Sequence, residues 1–248
     1  MIVIAIHFPK GGVGKSTTAW ALASLLGQKH RILAIDLDPQ ATLTNALLAE
    51  APTLGALDVL TKTVAIPKAD TPAAPAFGPN VRVLAATSAL ANLEQQTASD
   101  FDRPYLLRDA LDSDINADIV VIDTPPGGSL FTINALVAAT HVLSPLSLDA
   151  LSWDQIPAFE KLLDQVRRGL NPGLDWLGIL PTRYDSRRKL DNEVLTELRT
   201  LHALVHSPIT ESVRIKETMA RGAPASDAVT ALFFDAAVAS ILKAVARE

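Results

Sequence analysis

The stretch Phe8-Pro9-Lys10-Gly11-Gly12-Val13-Gly14-Lys15-Ser16-Thr17-Thr18 constrains this chain more than any other. It follows Ile2-Val3-Ile4-Ala5-Ile6, a short apolar run that reads as a buried parallel strand. It precedes Ala19-Trp20-Ala21-Leu22-Ala23-Ser24-Leu25-Leu26, which reads as helix. Strand, glycine-rich turn and helix form the context of a phosphate-binding loop. Gly11, Gly12 and Gly14 let the backbone turn tightly and aim its N–H groups at one point, where the helix N-terminus adds partial positive charge. Lys15 suits the β- and γ-phosphates, and the Ser16 hydroxyl suits Mg²⁺. The plain alternative is a glycine-rich turn with two surface lysines.

Two more strand ends point at the same place. Arg31-Ile32-Leu33-Ala34-Ile35 leads into Asp36-Leu37-Asp38-Pro39-Gln40, and Ile119-Val120-Val121-Ile122 leads into Asp123-Thr124-Pro125-Pro126-Gly127-Gly128. Ligands of open parallel sheets sit beyond the carboxyl ends of the strands, so Asp36, Asp38 and Asp123 face the nucleotide region. Asp123 has the form of a Walker B aspartate, which holds Mg²⁺ or its water shell. The Pro/Gly turn after it suits a nucleotide sensor. Taken alone, each aspartate is also an ordinary polar strand end.

The rest of the chain reads as α/β. Further strands are expected at Val81–Ala85, Val142–Leu146, Leu174–Leu180 and Leu204–Ile209. Helices are expected near 43–49, 54–60, 90–97, 104–111, 152–168, 190–201 and 231–246, with an irregular excursion over 63–80. The fold expected is a single doubly wound, mainly parallel sheet with helices on both faces, one P-loop NTPase domain over residues 1–248. The chain has no cysteine, which excludes disulfides and cysteine-ligated iron–sulfur clusters. The five histidines are scattered without metal-ligand spacing. The net charge of −5 argues against general coating by nucleic acid. Between residues 161 and 221, however, 11 Lys/Arg outnumber 8 Asp/Glu, so a polyanion site belongs in the C-terminal half.

The lysine that opens the loop, in Lys10-Gly11-Gly12-Val13-Gly14-Lys15-Ser16, resembles the deviant Walker A form of the ParA/MinD group of P-loop ATPases. Asp36-Leu37-Asp38-Pro39-Gln40, Val121-Ile122-Asp123-Thr124-Pro125-Pro126, Tyr184-Asp185-Ser186-Arg187 and Val213-Arg214-Ile215 follow in the family's order. On these motifs the chain is similar to short-form ParA-type DNA-partition ATPases. It departs at Phe8-Pro9, at Ala41-Thr42 and at Lys216-Glu217-Thr218-Met219.

The resemblance implies an ATP- and Mg²⁺-dependent sandwich dimer in which Lys10 reaches the partner's phosphates. It implies that Gly11 to Thr17 cradle the phosphates, with Thr17 at the α-phosphate, and that Thr182 lies near the base. Asp38 orients or activates the attacking water, and Asp36 supports the Mg²⁺ held by Ser16 and Asp123. Arg187, Arg188 and Arg214 become a basic face for non-specific double-stranded DNA. The implied partners are a second copy of the chain and a ParB-type centromere-binding protein, with a cytoplasmic, nucleoid-associated location. The competing readings are a MinD-like membrane-surface ATPase, which needs a basic amphipathic tail within 237–248, and a non-hydrolysing nucleotide-binding scaffold.

Overall fold

The structure, a computed structural model, describes residues 1–50, 52–202 and 204–246. Arg247 and Glu248, the end of the tail just considered, lie outside the described residues. Among the described residues seven strands form one sheet: β1 (Ile2–Ile6), β2 (Ile32–Asp36), β3 (Thr71–Pro72), β4 (Val81–Leu84), β5 (Ile119–Asp123), β6 (His141–Ser147) and β7 (Asp175–Thr182). Their spatial order is β3-β4-β2-β5-β1-β6-β7. All neighbours are parallel except the short β3, which runs antiparallel to β4 at one edge.

The sequences of β1, β2 and β5 explain why they lie in the centre. Each is an unbroken apolar run, which suits a strand covered on both faces. Period-2 alternation divides them between two cores. Val3, Ala5, Leu33, Ile35, Val120 and Ile122 face one core with Phe159 and Leu163, from the helix Ile156–Gly169. Ile4, Ile6, Ala34 and Val121 face the other with Trp20 and Leu22, from the helix Lys15–Leu26. The register places Asp36 beside Asp123 and Ile6 beside Asp123, so the loop-bearing strand and both aspartate-bearing strands end together.

Several expected elements differ. Residues 204–209 do not form an eighth strand. They meet β7 through a single bridge, Ile179 to Val205, and a second bridge joins Tyr184 to Thr210. Pro181 and Pro208 supply no N–H to a ladder there. The approach is nonetheless close: Gly178, at φ +100°, lies where a Cβ would sit 2.3 Å from the Leu204 carbonyl oxygen. The stretch 63–80 is ordered, with a helical turn Ile66–Ala69, the β3 edge and a 3₁₀ turn Pro75–Phe77 that buries Phe77 completely. The helix expected over 152–168 is two, Ala150–Trp153 and Ile156–Gly169, the second opening on Pro157 at its first turn. The closing helix starts with a 3₁₀ turn, Ala231–Phe233, before Asp235–Val245.

Candidate nucleotide site

The loop between β1 and the helix Lys15–Leu26 is held from three sides. The Pro9 carbonyl accepts the Gly127 N–H at 2.8 Å, and the Val13 carbonyl accepts the Thr182 hydroxyl at 2.8 Å. Phe8 is buried against Phe159 with ring centroids 5.6 Å apart, which is what the departure at Phe8-Pro9 does for the fold. Gly12 at φ +76° and Gly14 at φ +94° occupy the left-handed region that only glycine adopts without strain. The helix that follows has no side-chain cap and no acidic residue in its first turn. Its N–H groups and positive end are therefore available to an anion. Lys15 is buried, and its Nζ donates to the Lys10 carbonyl at 2.9 Å, folding the side chain back over the loop. Burial lowers the Lys15 pKa, opposed by the charges of Asp123 and Asp38.

The two central aspartates have different surroundings. Asp36 is saturated: it accepts the Thr44 N–H and hydroxyl, each at 2.8 Å, and the Asp38 N–H at 3.0 Å. Thr44 in turn accepts the Ala86 N–H at 2.9 Å. Asp36 thus fixes the loop that presents Asp38, which is half-buried and accepts the Gln40 N–H at 2.9 Å. Three residues on, Ala41 takes φ +54°, a conformation glycine would reach without strain. Asp123, by contrast, is wholly buried with both carboxylate oxygens unpartnered. Burial, then the charge of Asp36, push its pKa well up, while Ser16 and Lys15 pull it back. The Ser16 hydroxyl lies near enough to act on it electrostatically but outside hydrogen-bond geometry. An orphaned carboxylate beside a hydroxyl is an oxygen donor set that fits Mg²⁺. Among the described residues no group of three or more His, Cys, Asp or Glu could hold a metal.

The aspartates set two pH windows for stability. Burial raises Asp36 to about 6 against its hydrogen bonds from Thr44, so the folded chain binds its proton more tightly than the unfolded chain does. The stability it gives is complete below pH ~4 and is lost as pH rises from ~4 to ~6. Asp118, Asp149, Asp185 and Asp227 are held down at about 2, so their contribution is complete above pH ~4 and is lost on further acidification. Burial also holds His7 at about 3, which gives stability of the opposite sign over the same range, so the Asp36 window is read as a difference between two proteins. Between pH ~4 and ~6 the urea midpoint of wild type is expected to fall relative to that of Asp36→Asn, with the acid limb shared by both.

Lys10 has a different fate from Lys15. Its ammonium lies 2.5 Å from Asp149 Oδ1 and donates to Ser152 Oγ at 3.1 Å. Burial alone would raise Asp149, but Lys10, Ser147 and the Ser152 N–H outweigh it and bring the carboxyl to about 2. Asp149 was not legible as a site residue, because 139 positions separate it from Lys10.

Thr17 directs its hydroxyl at Met219 Sδ, 3.7 Å away on the helix Val213–Ala220. Beside the loop opens a cleft of about 590 Å³, its mouth included, lined by Gly12, Thr17, Thr182, Arg183, Ile215 and Phe234, with Ile209 to Ser212 along one wall. Thr182 lines this cleft, and its hydroxyl is spent on Val13. Arg183, Glu211, Ile215 and Phe234 were missed; for the first three, nearness in sequence to Thr182 and Arg214 was the signal available, and for Phe234 there was none. The three arginines expected at a basic face are all ion-paired. Arg187 reaches Asp185 at 2.8 Å, Arg188 reaches Glu211 at 3.3 Å, and Arg214 reaches Asp227 at 2.8 Å. Arg187 and Arg188 share one turn before the helix Lys189–Leu201, whereas Arg214 stands on the helix Val213–Ala220.

A family model described as an AAA domain matches residues 1–176. The chromosome partitioning protein ParA of Myxococcus xanthus is 36% identical over 205 residues, covering 79% of this chain and 70% of that protein. The chromosome-partitioning ATPase Soj of Thermus thermophilus is 35% identical over 232 residues, covering 90% and 89%. Among solved structures, cobyrinic acid a,c-diamide synthase from Mycobacterium smegmatis, with bound ATP analog and magnesium, has the same fold. It superposes with a TM-score of 0.83 at 30% identity, covering 99% of this chain and 93% of that one.

Proposed function

This chain belongs to the ParA/Soj family of partition ATPases, and we propose that it is a Mg-ATP-dependent dimerising switch that binds DNA without sequence preference. The observation that carries the reading is the contrast between two lysines of one loop. Lys15 is buried inside the cradle, and Lys10 stands outside it, clasped by Asp149. A lysine so placed is best used on the phosphates of a second protomer, which makes ATP the adhesive of the dimer.

Each chemical role follows from a position. The N–H groups of Gly11 to Thr17 and the Lys15 ammonium hold the β- and γ-phosphates. Ser16 and Asp123 would hold Mg²⁺, which when bound would neutralise charge on the phosphate oxygens. Asp36, with every oxygen engaged, acts by fixing the Asp38 backbone. Asp38 orients the water whose oxygen bonds to the γ-phosphorus as the bond to the β–γ bridging oxygen breaks, leaving ADP and phosphate. Thr182, Ile215 and Phe234 flank the base. Hydrolysis is slow and is stimulated by DNA and by a ParB-type centromere-binding partner, in the cytoplasm on the nucleoid. Against a membrane-surface role, Ala237 and Ile241 of the last helix are buried in the core instead of forming a free apolar face.

A gel shift with double-stranded DNA in ATP, ADP or no nucleotide, over a salt series, tests this. Retention is expected in ATP alone, alongside dimer in light scattering, and weakens steeply with salt. Arg214→Gln should keep the dimer, lose DNA affinity several-fold and lower the salt slope by about one. Equal retention without nucleotide, or an unchanged Arg214→Gln, overturns the DNA reading. Phosphate release that neither DNA nor partner stimulates favours the non-hydrolysing scaffold.

A further inference from the structure

Glu211 is placed where two guanidinium groups converge. Its Oε1 accepts from Nε and Nη2 of Arg183, each at 3.4 Å, and its Oε2 accepts from Nη2 of Arg188 at 3.3 Å. The carboxylate is held in place by the backbone: the Glu211 N–H donates to the Tyr184 carbonyl at 2.9 Å, and the Tyr184 N–H donates to the Ile209 carbonyl at 3.0 Å. Arg183 itself takes φ +56°, rare for a residue with a side chain, and lines both the nucleotide cleft and a recess beside Asp149, Arg188 and Asp191. Of the other carboxylates nearby, Asp149 is engaged with Lys10 and Asp191 with the Asp185 N–H at 2.9 Å, while Asp185, held by Arg187 at 2.8 Å, lies farther from Arg188 Nε, at 3.8 Å.

We propose that Arg183 and Arg188 form a phosphate site, filled in the free chain by the Glu211 carboxylate and taken over by a phosphodiester of a polynucleotide. Three features support the exchange. The arginine side chains are 54% and 56% exposed, against 27% for Glu211, so the anion is the inner partner and the outer edges of both cations are open to solvent. The 3.3–3.4 Å separations exceed the ~2.7–2.9 Å of a strong charge-assisted bond, so the contacts are readily exchanged. Glu211 also lines the cleft beside Gly12 and Thr17, which places the internal competitor within reach of the nucleotide. Its position therefore links nucleotide occupancy to the availability of two arginines. Neither Glu211 nor Arg183 belongs to the basic face expected from sequence.

The inference rests on the DNA reading, and the experiment separates the two. Wild type, Glu211→Gln, Arg188→Gln and the double variant are compared in fluorescence anisotropy with double-stranded DNA. Each is measured with and without a non-hydrolysable ATP analogue, over a salt series, and by elution from heparin. Glu211→Gln is expected to bind DNA about tenfold more tightly at low salt, with a slope steeper by about one. It should also bind measurably without nucleotide, and Arg188→Gln should cancel the gain. Arg183→Gln, which leaves Glu211 itself in place, should lose DNA several-fold. If wild type binds DNA with ATP and Glu211→Gln binds no better, the inference is overturned. It is also overturned if the gain persists undiminished beside Arg188→Gln, since that marks a general change of net charge. Stronger heparin retention without stronger DNA binding overturns the polynucleotide assignment. Loss of DNA binding by every protein in every state overturns the DNA reading and the inference together.

Discussion

Lys15→Ala is expected to eliminate measurable nucleotide binding and to cut phosphate release by at least ~10²–10³-fold, the scale of losing one charged donor aimed at a developing anion. The ammonium is already inside the site, held at 2.9 Å by the Lys10 carbonyl and flanked by the charges of Asp123 and Asp38. Burial makes the charged form costly in the free protein. Triphosphate oxygens supply the compensation that the site otherwise lacks, so binding and the lysine's charge support each other. Alanine removes that charge and leaves Asp123 beside the phosphates without its cationic neighbour. Isothermal titration with Mg-ATP and a steady-state phosphate assay measure both effects. A variant that keeps its circular dichroism and binds within a few-fold of wild type shows that the loop is not the phosphate site.

Asp38→Ala is expected to separate binding from chemistry. The side chain is half-buried at the cradle and makes one local bond, to the Gln40 N–H, so its loss leaves the fold intact. Asp36 and Thr44 still hold the loop. Nucleotide-dependent dimers should therefore persist, while turnover falls by ~10²–10⁴-fold, the range for a group that positions or deprotonates the attacking water. Light scattering with Mg-ATP and single-turnover phosphate release report the two properties independently. Normal turnover in this variant assigns the water to another residue. Loss of the dimer assigns Asp38 to assembly.

The phosphate loop, both aspartate-ended strands and the parallel sheet were legible because their causes are local. Gly12 and Gly14 are needed for their own φ angles, and Ile119–Ile122 form a buried strand through their own side chains. The errors fell where packing overrides pattern. Residues 204–209 carry strand-like residues, yet Pro181 and Pro208 break the ladder to β7. Residues 63–80 look irregular by composition, yet Phe77 anchors them in the core. The division of labour between Asp36 and Asp123 was equally illegible. Both end apolar strands in the same way, and Thr44, eight positions after Asp36, together with the Asp38 N–H makes one a brace and leaves the other an open donor.

By itself the sequence determined that a glycine-rich turn of a form suited to a triphosphate sits at the head of a buried parallel sheet with acidic groups at neighbouring strand ends. Those properties follow from backbone sterics and strand periodicity, which act over a few residues. Tertiary structure decided which charges are already neutralised: Lys10 by Asp149, Arg188 by Glu211, Arg214 by Asp227. Coulombic pairing depends on distance in space, and the chain separates Lys10 from Asp149 by 139 positions before the fold brings them to 2.5 Å.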